Sequence, residues 1–393
     1  MKRLPTLAHA AWTAAAVAAS MAVLALPSAS AAAAASPAPY PSGSEGPVFV
    51  QTDNTAHNEI VAYHRAADGS LSRRGAFATG GKGGVLGGSV VDHLASQGSL
   101  VHDCAHHLLF AVNAGSDTVT VFSVEGEKLH REQVISSGGR FPVSLTVHND
   151  RVYVLNARDG GSVQGYRIAG GKKAAGGKKL ERVAGWRREL RLDTTTAPEF
   201  THTPGQVSFT PDGSRLIVTT KAGGSSVDVF GVSPSGALSA RPVVNVQDGA
   251  VPFGFTFDGR GRLVVTDAGT NAVLTFAVRE DGHVVRLDKA LTGEQATCWI
   301  SRAGDRFYAS NAGSNAVSGF RQTRRATLEP LSTTVTSAGS TDSAVTPDGH
   351  FLYVQTGGTG GVDAFRVERD GSLHKAGTVI VPDAVGGEGI VAL

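Results

Sequence analysis

One short pattern recurs along the sequence at a nearly constant spacing, and it limits the possible folds more than any other feature. An apolar run of strand length ends in a polar residue and is followed by a turn rich in glycine and asparagine. These polar residues are Thr52, Asn113, Asn156, Lys221, Asp267, Asn311 and Gln355. Four of the six intervals span 43 to 46 residues, the length of a four-stranded propeller blade. The two longer intervals predict insertions near residues 77–89 and at about 170–192.

The segments around each copy predict the rest of the blade. Alternating apolar runs such as "SVDVFGV" and "GVDAFRV" follow the recurring strand, and Gly, Asn and Asp break the runs, which is typical of antiparallel hairpins. The first copy lacks a preceding strand, and the final "GEGIVAL" (387–393) lacks a following one. We therefore expect "GEGIVAL" to become the inner strand of a blade formed by residues 46–77. The prediction is an all-β, seven-bladed β-propeller of four-stranded antiparallel blades, with the ring closed by both chain ends.

The N-terminal region is typical of an exported protein. Lys2 and Arg3 precede an alanine-rich apolar run from Ala10 to about Leu26, and "ASA" at 29–31 offers small residues for cleavage. A membrane anchor is the alternative, but the run is shorter than the roughly 20 residues that a spanning helix needs. We predict a signal peptide at 1–31, a disordered Pro/Ala/Ser linker at 32–45 and a propeller at 46–393. The protein is expected to be secreted and extracellular, without membrane association.

Charge and cysteine content exclude several classes of partner. The formal net charge is +2 and 18% of residues are charged, a balance that does not favour nucleic-acid or membrane-surface binding. Cys104 and Cys298 fall in blades that are not neighbours, so two free thiols are favoured over a disulfide. No set of three or four residues with metal-ligand spacing is found, so neither a metal nor a cofactor is predicted. We expect a monomer that takes a small-molecule ligand or substrate.

Several motifs resemble those of the lactonase-type seven-bladed propellers, a family that includes bacterial 6-phosphogluconolactonases and fungal carboxymuconate-lactonising enzymes. The resemblance covers residues of about 46–393 and rests on "FTPDGSRLIV", "VTPDGHFLYV", "PFGFTFDGRGRLVVTDAG" and the repeated "NAGS". It implies the propeller fold and hydrolysis or isomerisation of a lactone or a related small polar substrate.

The resemblance also implies three catalytic positions, and this sequence has lost all of them. In lactonising members, a histidine on one inner strand works with an arginine on the inner strand of the next blade. A glutamate at the end of that blade's second strand completes the set. Those positions fall here on Val143, Gly205 and Lys221. Valine and lysine cannot supply the proton transfer that a histidine and a carboxylate provide. A non-catalytic propeller that binds a small ligand, a cell-wall polymer or a protein partner is therefore the alternative function.

The predicted channel mouth gathers the remaining candidate residues. Inner strands begin on this face, and loops that follow second strands open on it, as ligand sites in closed β architectures do. Arg140 and His202 are the candidate catalytic pair, as a cation for a developing oxyanion and a base for water. The candidate ligand-binding residues are Gln97, Gln206, Lys221, Glu294, Asp342 and Glu388.

The two insertions have different compositions. "GGKGGVLGG" lacks the Ser/Thr and the strand–helix context of a phosphate loop, and its glycines predict a flexible linker. The segment 170–192 is rich in Lys and Arg, and "KKLERVAGWRREL" fits a short helix or a hairpin. It is either an arm that contacts an anionic partner or, the favoured alternative, a mobile, lysine-rich surface loop. Trp299 and Cys298 lie in a predicted inner strand and are expected in the core.

Overall fold

A computed structural model describes residues 43–170 and 177–393 of the chain. The predicted signal peptide and most of the predicted linker lie outside these residues. The described chain forms seven antiparallel four-stranded sheets, so the predicted seven-bladed β-propeller is confirmed. Within the described residues, no helix is both long enough and apolar enough to span a bilayer.

Each blade runs from an inner to an outer strand. Blade 1 contains β28 (Ile390–Ala392), β1 (Gly46–Gln51), β2 (Glu59–Arg65) and β3 (Leu71–Ala78), and blade 2 contains β4 (Leu100–Asp103), β5 (Leu108–Asn113), β6 (Thr118–Glu125) and β7 (Lys128–Ser136). Blade 3 contains β8 (Pro142–His148), β9 (Arg151–Asn156), β10 (Ser162–Ala169) and β11 (Lys179–Glu189), and blade 4 contains β12 (Gln206–Phe209), β13 (Arg215–Thr219), β14 (Ser226–Gly231) and β15 (Val243–Val246).

The other three blades repeat the same order. Blade 5 contains β16 (Pro252–Phe257), β17 (Leu263–Asp267), β18 (Ala272–Val278) and β19 (Val284–Leu291), and blade 6 contains β20 (Thr297–Ala303), β21 (Arg306–Asn311), β22 (Ala316–Gln322) and β23 (Leu328–Val335). Blade 7 contains β24 (Ser340–Val345), β25 (Phe351–Thr356), β26 (Gly361–Val367) and β27 (Leu373–Ile380). A 3₁₀ turn (Ala114–Ser116) and two one-turn helices, α1 (Glu199–His202) and α2 (Lys221–Gly224), lie in loops.

The burial of side chains along each blade explains why the repeat could be recognised in the sequence. All six residues of β5 and of β25 are buried, because second strands lie inside a sheet whose two faces pack against neighbouring blades. Outer strands such as β19 alternate between partly buried and exposed residues, because one of their faces meets solvent. The apolar side chains between blades therefore form the core.

The ring closes as the sequence predicts. Strand β28 pairs antiparallel with β1, with Val48 opposite Ala392 and Val50 opposite Ile390. Nη2 of Arg65 donates to the carbonyl oxygen of Leu393 at 2.7 Å, which ties the third strand of the blade to its inner end. The C-terminal strand thus completes blade 1 beside blade 7.

The structure corrects the prediction of a separate basic insertion. Residues 179–189 are the outer strand of blade 3, neither a mobile loop nor a helix. Trp186 is buried and stacks on Tyr153, with ring centroids 5.7 Å apart. This indole fills the space between blades, so the basic segment is part of the blade. Residues 171–176 lie outside the described part of the chain.

Both cysteines are free thiols, as expected. Cys298 is buried and Trp299 is almost completely buried, which confirms their placement in the core. Cys104 lies exposed in the turn between β4 and β5.

Candidate functional site at the channel mouth

The segment 79–99, called here the mouth segment, spans the channel mouth and joins blade 1 to blade 2. Leu86 and Leu94 have no exposed surface. Backbone hydrogen bonds link the segment to Asn54 in blade 1, to Gly115 in blade 2 and to Leu145 in blade 3. The prediction of a flexible linker near residues 77–89 is therefore wrong, because this segment is packed against the propeller.

Close backbone contacts account for the glycines of the mouth segment. A Cβ atom on Gly83 would lie 1.9 Å from the carbonyl oxygen of Asp53, and one on Gly81 would lie 2.4 Å from the side chain of Asn113. Only glycine fits at such separations. Glycines here indicate tight packing, whereas the same composition in isolation is typical of a linker.

Three consecutive residues of the mouth segment contact the three positions at which the resembled family carries its catalytic residues. Lys221 Nζ donates to the carbonyl oxygen of Ala95 at 2.7 Å. Ser96 Oγ donates to the carbonyl oxygen of Val143 at 2.8 Å. The backbone N–H of Gln97 donates to the carbonyl oxygen of Gly205 at 3.1 Å. The tripeptide 95–97 therefore occupies the space above all three positions.

The propeller directs a donor at each carbonyl oxygen of this tripeptide. Besides the Lys221 ammonium, Trp299 Nε1 donates to the carbonyl oxygen of Ser96 at 2.6 Å. Ser144 Oγ donates to the carbonyl oxygen of Gln97 at 2.7 Å. Three side chains of the propeller thus bind three consecutive carbonyl oxygens of the mouth segment.

Four buried carboxyl groups lie beside these donors. They are Asp53, Asp92, Asp342 and Glu388, each at most 4% exposed; we call them the carboxyl cluster. They come from the loop after β1, the mouth segment, β24 and the residues before β28, and Ser96 Oγ lies 3.2 Å from Glu388 Oε2. The mouth segment and two blades thus place their acids together.

Backbone N–H groups satisfy part of the cluster. Asp53 accepts from the N–H of Glu388 at 2.8 Å. Asp92 accepts from the N–H groups of Leu94 and Ser96 at 2.8 and 3.0 Å. These bonds stabilise the ionised forms, but burial opposes them.

Burial dominates the protonation of the cluster. It raises the pKa of Asp53 to about 8, of Asp92 to about 6 and of Asp342 to about 7. Burial, followed by the neighbouring charge of Asp342, raises the pKa of Glu388 well above its usual value. Groups that change charge near neutral pH inside a closed site mark a functional candidate.

Lys221 is a buried cation beside the cluster. It also donates to the carbonyl oxygen of Phe200 at 2.5 Å and to Thr203 Oγ1 at 3.0 Å. Burial lowers its pKa to about 7, while the nearby Asp92 carboxyl opposes this effect. Its ammonium therefore fastens both the mouth segment and α1.

The predicted catalytic pair is not joined in the structure. Arg140 is exposed and lies 3.5 Å from Asp159. His202 ends α1, and its Nδ1 lies 2.9 Å from Thr201 Oγ1 and 3.1 Å from the carbonyl oxygen of Pro198. No hydrogen bond or ion pair connects Arg140 with His202 in the described residues, so the arrangement does not support their joint role.

The other predicted residues divide into two groups. Asp342, Glu388 and Lys221 meet at the mouth, as described above. Gln97 exchanges two hydrogen bonds with the backbone of Ile300, and Gln206 accepts from the N–H of Phe255 at 2.6 Å. Both glutamines therefore bridge backbone segments. Glu294 is partly exposed, and its backbone N–H donates to Thr292 Oγ1 at 3.2 Å.

Sequence reasoning missed three contributors to the site. Asp92 lies next to the glycine-rich run that predicted a linker, so nothing indicated its burial. Asp53 follows Thr52, which ends the first recurring strand. Its position next to one of the recurring polar residues could have indicated that it lies at the mouth. Trp299 was expected only to fill the core. Among the described residues, no three His, Cys, Asp or Glu side chains converge as a metal site.

Comparison with known proteins identifies the family to which the chain belongs. A family model described as "Lactonase, 7-bladed beta-propeller" matches residues 89–385. The chain belongs to this family. Membership in the lactonase propellers supports a lactone-related function at the family level. No curated protein matches the chain.

Solved structures of other proteins share the fold at low sequence identity. The periplasmic gluconolactonase of Pseudomonas aeruginosa is 18% identical, with 88% of this chain and 98% of that chain covered and a TM-score of 0.68. A candidate 6-phosphogluconolactonase from Bacteroides fragilis is also 18% identical, with coverages of 88% and 97% and a TM-score of 0.66. A Lactobacillus plantarum protein is 19% identical, with coverages of 88% and 99% and a TM-score of 0.68. At these identities the likeness establishes the fold alone.

Proposed function

We propose that this lactonase propeller hydrolyses a lactone or a related small polar ring at the channel mouth, using donors and acids other than the family's lost set. The observation that carries the proposal is the pair of donors, Lys221 Nζ and Trp299 Nε1, that hold peptide carbonyl oxygens beside the carboxyl cluster. Those oxygens stand in for the lactone carbonyl. Donors aimed at a carbonyl stabilise the negative charge that develops on it during attack.

The proposed reaction uses groups already present at the mouth. With the tripeptide 95–97 displaced, Lys221 and Trp299 donate to the carbonyl oxygen of the lactone. A carboxylate of the cluster, Asp342 or Glu388, takes a proton from water as the water oxygen bonds to the carbonyl carbon. The ring C–O bond then breaks, and the ring oxygen receives a proton from the carboxylic acid. The product is the open hydroxy acid.

A non-catalytic role is the second candidate, and one observation favours it. The tripeptide 95–97 fills the space above all three family positions and bonds to each of them. In this arrangement the mouth holds part of its own chain, and the propeller serves as a scaffold that binds a small polar ligand. The two candidates differ in whether the mouth segment leaves this position.

We further propose that the protein works outside the cytoplasm as a monomer. Support for the location comes from the leader pattern at 1–31 and from the periplasmic location in the name of the Pseudomonas aeruginosa neighbour. An anionic partner at the basic strand β11 is less well supported. Its Arg188 already donates to the carbonyl oxygens of Ser239 and Leu238, which leaves less of its guanidinium for a partner.

A panel of neutral and phosphorylated lactones incubated with the purified protein tests the proposed hydrolysis. We expect turnover of at least one lactone, and Lys221→Met and Trp299→Phe should each lower kcat by about 10²- to 10³-fold, as loss of an oxyanion donor does. Lys289→Met is the matched control, because Lys289 is exposed on the outer strand β19 and its replacement should leave kcat unchanged.

Two outcomes would contradict this assignment. Hydrolysis at the uncatalysed rate for every lactone would leave the non-catalytic role. Activity that survives Lys221→Met but disappears in both Arg140→Ala and His202→Ala would move the site to the pair predicted from sequence.

A further inference from the structure

The face of the propeller opposite the mouth carries a group of arginines on blades 5 and 6. Neighbouring strands of a blade are antiparallel, so the turns that follow the inner and the third strands lie at the edge of the sheet away from the mouth. The turns after β16 and β22 and the end of β20 contribute the residues that we call the arginine patch: Arg260, Arg262, Arg302, Arg324 and Arg325.

Contacts between the turns bring these side chains together. Arg260 Nη1 donates to the carbonyl oxygen of Arg324 at 3.2 Å, and Arg262 Nη1 donates to the same oxygen at 3.4 Å. A Cβ atom on Gly259 would lie 3.0 Å from Arg302 Nη2, so the Arg302 side chain lies against the turn that carries Arg260 and Arg262. Two blades therefore form one positively charged surface.

The patch contains more cations than its turns contain carboxylates. Asp258 pairs with Arg262, with 2.5 Å between Oδ2 and Nε, and Asp305 is the other acid of these turns. Arg324 and Arg325 are exposed. Within the part of the chain that the structure describes, no hydrogen bond or ion pair engages either of their guanidinium groups. The patch thus keeps an excess of positive charge that its own acids do not neutralise.

Other arginines on the same face have a structural role. Arg306 donates to the carbonyl oxygen of Arg369, and Arg215 donates to that of Glu280. Each of these bonds joins a second strand to a turn of the next blade. Because Arg324 and Arg325 make no such bond among the described residues, their charge is available to a ligand.

A groove extends the positive surface from blade 5 to blade 4. Its volume is about 510 Å³. Its charged lining residues are Arg215, Arg260, Arg279, Asp212 and Glu280. Arg260 belongs to both the patch and the groove, so a chain that lies on the patch can continue into the groove.

We propose that the arginine patch binds a linear polymer whose repeating unit carries a phosphodiester group and no base. The planar guanidinium group donates two parallel hydrogen bonds to phosphate oxygens. The patch is open and extends over two blades, so one phosphate would contact only part of it. A chain of phosphates contacts several arginines at once, and each further contact then forms at a high effective concentration.

The sequence of the patch disfavours nucleic acid as the polymer. Proteins that bind single strands stack the bases on aromatic side chains. The segments 258–262, 302–305 and 323–327 contain no Phe, Tyr or Trp. A polyol phosphate or sugar phosphate chain needs no such platform, because its charge lies in the phosphates alone.

Fluorescence anisotropy of labelled poly(glycerol phosphate) with the whole protein tests the proposal. Binding should weaken by about tenfold or more between 50 and 200 mM NaCl, because each phosphate contact releases a bound counterion. Absence of binding at 50 mM NaCl, or an affinity that does not change with salt, overturns the proposal.

A double variant shows whether the patch is the binding surface. Arg324→Gln with Arg325→Gln should weaken binding at 50 mM NaCl by about tenfold and reduce its dependence on salt. The carbonyl oxygen of Arg324 remains in place, so the turn should fold as in the wild type. The matched control is Arg73→Gln with Arg74→Gln, which removes two exposed charges from β3 in blade 1 and should bind as the wild type does. Equal affinities of the two double variants overturn the proposal.

Two competitors of equal charge test the chemistry of the ligand. Polyglutamate and single-stranded DNA should each bind more weakly than poly(glycerol phosphate). Equal or tighter binding of polyglutamate would assign the patch to carboxylates, and equal or tighter binding of DNA would assign it to nucleic acid; either result overturns the proposal. The patch and the mouth lie on opposite faces, so the patch variant should keep the wild-type kcat on any lactone that the protein hydrolyses.

Discussion

Replacement of Ile390 with aspartate is expected to lower the free energy of unfolding by about 4 kcal/mol or more, because it places a carboxylate in an apolar contact without a partner. Ile390 is 4% exposed and lies in β28, where it packs with the apolar side chains of blades 1 and 7. Urea unfolding followed by circular dichroism measures the loss.

Two matched variants distinguish loss of ring closure from a general effect of substitution. Ile390→Val removes one methylene and should cost about 1 kcal/mol. Val385→Asp introduces the same charge at a side chain that is 61% exposed, and it should change stability by about 0.5 kcal/mol or less. If Ile390→Asp costs no more than Val385→Asp, β28 does not hold the ring together.

Asp342→Asn is expected to gain stability relative to the wild-type protein as pH rises, by about 3 kcal/mol between pH 5 and pH 8. The folded-state pKa of Asp342 is about 7, above its ordinary value of 3.8, so the folded protein binds more protons than the unfolded chain. Stability from this group is fully present below the unfolded pKa and is lost as pH rises through the folded pKa. Asparagine keeps the shape of the side chain and cannot ionise.

Unfolding curves at pH 5, 6, 7 and 8 for both proteins measure this effect. The wild-type protein should lose stability across the series, and Asp342→Asn should lose less. Asp248→Asn, at an exposed acid, should follow the wild-type curve. Parallel curves for Asp342→Asn and the wild type would show that Asp342 has an ordinary pKa and would remove the charge argument for the cluster.

The blades were predictable because their signal is repeated. Apolar alternation with breaks at Gly, Asn and Asp recurs in every blade, and one misjudged turn does not change the count. The join of "GEGIVAL" to the first blade followed from the same count, since one copy lacked the strand that another had in excess. The spacing of the repeats and their number determine a propeller, and both can be counted in the sequence.

The site was predictable only where the blade pattern placed it. Asp342, Glu388 and Lys221 occupy fixed positions relative to inner and second strands, so the repeat brought them to the mouth. Asp92 has no such position, because the mouth segment is outside the repeat and its path depends on contacts such as that of Gly83 with Asp53. Arg140 and His202 were both predicted on the mouth side of the ring, but two loops on the same side can still be too far apart for their side chains to act together.

The basic segment shows how composition can mislead. Its lysines and arginines are typical of a solvated loop, yet Trp186 occupies an outer-strand position where the indole stacks on Tyr153. The basic side chains lie on the exposed side of the strand or donate to the carbonyls of neighbouring loops. A single large aromatic residue was the better indicator of a packed strand.

The pairing of β28 with β1 has a consequence for the order of folding. Arg65 and Leu393, which meet in blade 1, are 328 positions apart in the chain. Strands β1 to β3 are synthesised first but lack their inner neighbour until all the other blades exist. Contacts of such high sequence separation are entropically costly and slow to form. Blade 1 is therefore expected to be the last to acquire its native structure, so that the emerging chain carries an unpaired strand edge throughout its synthesis.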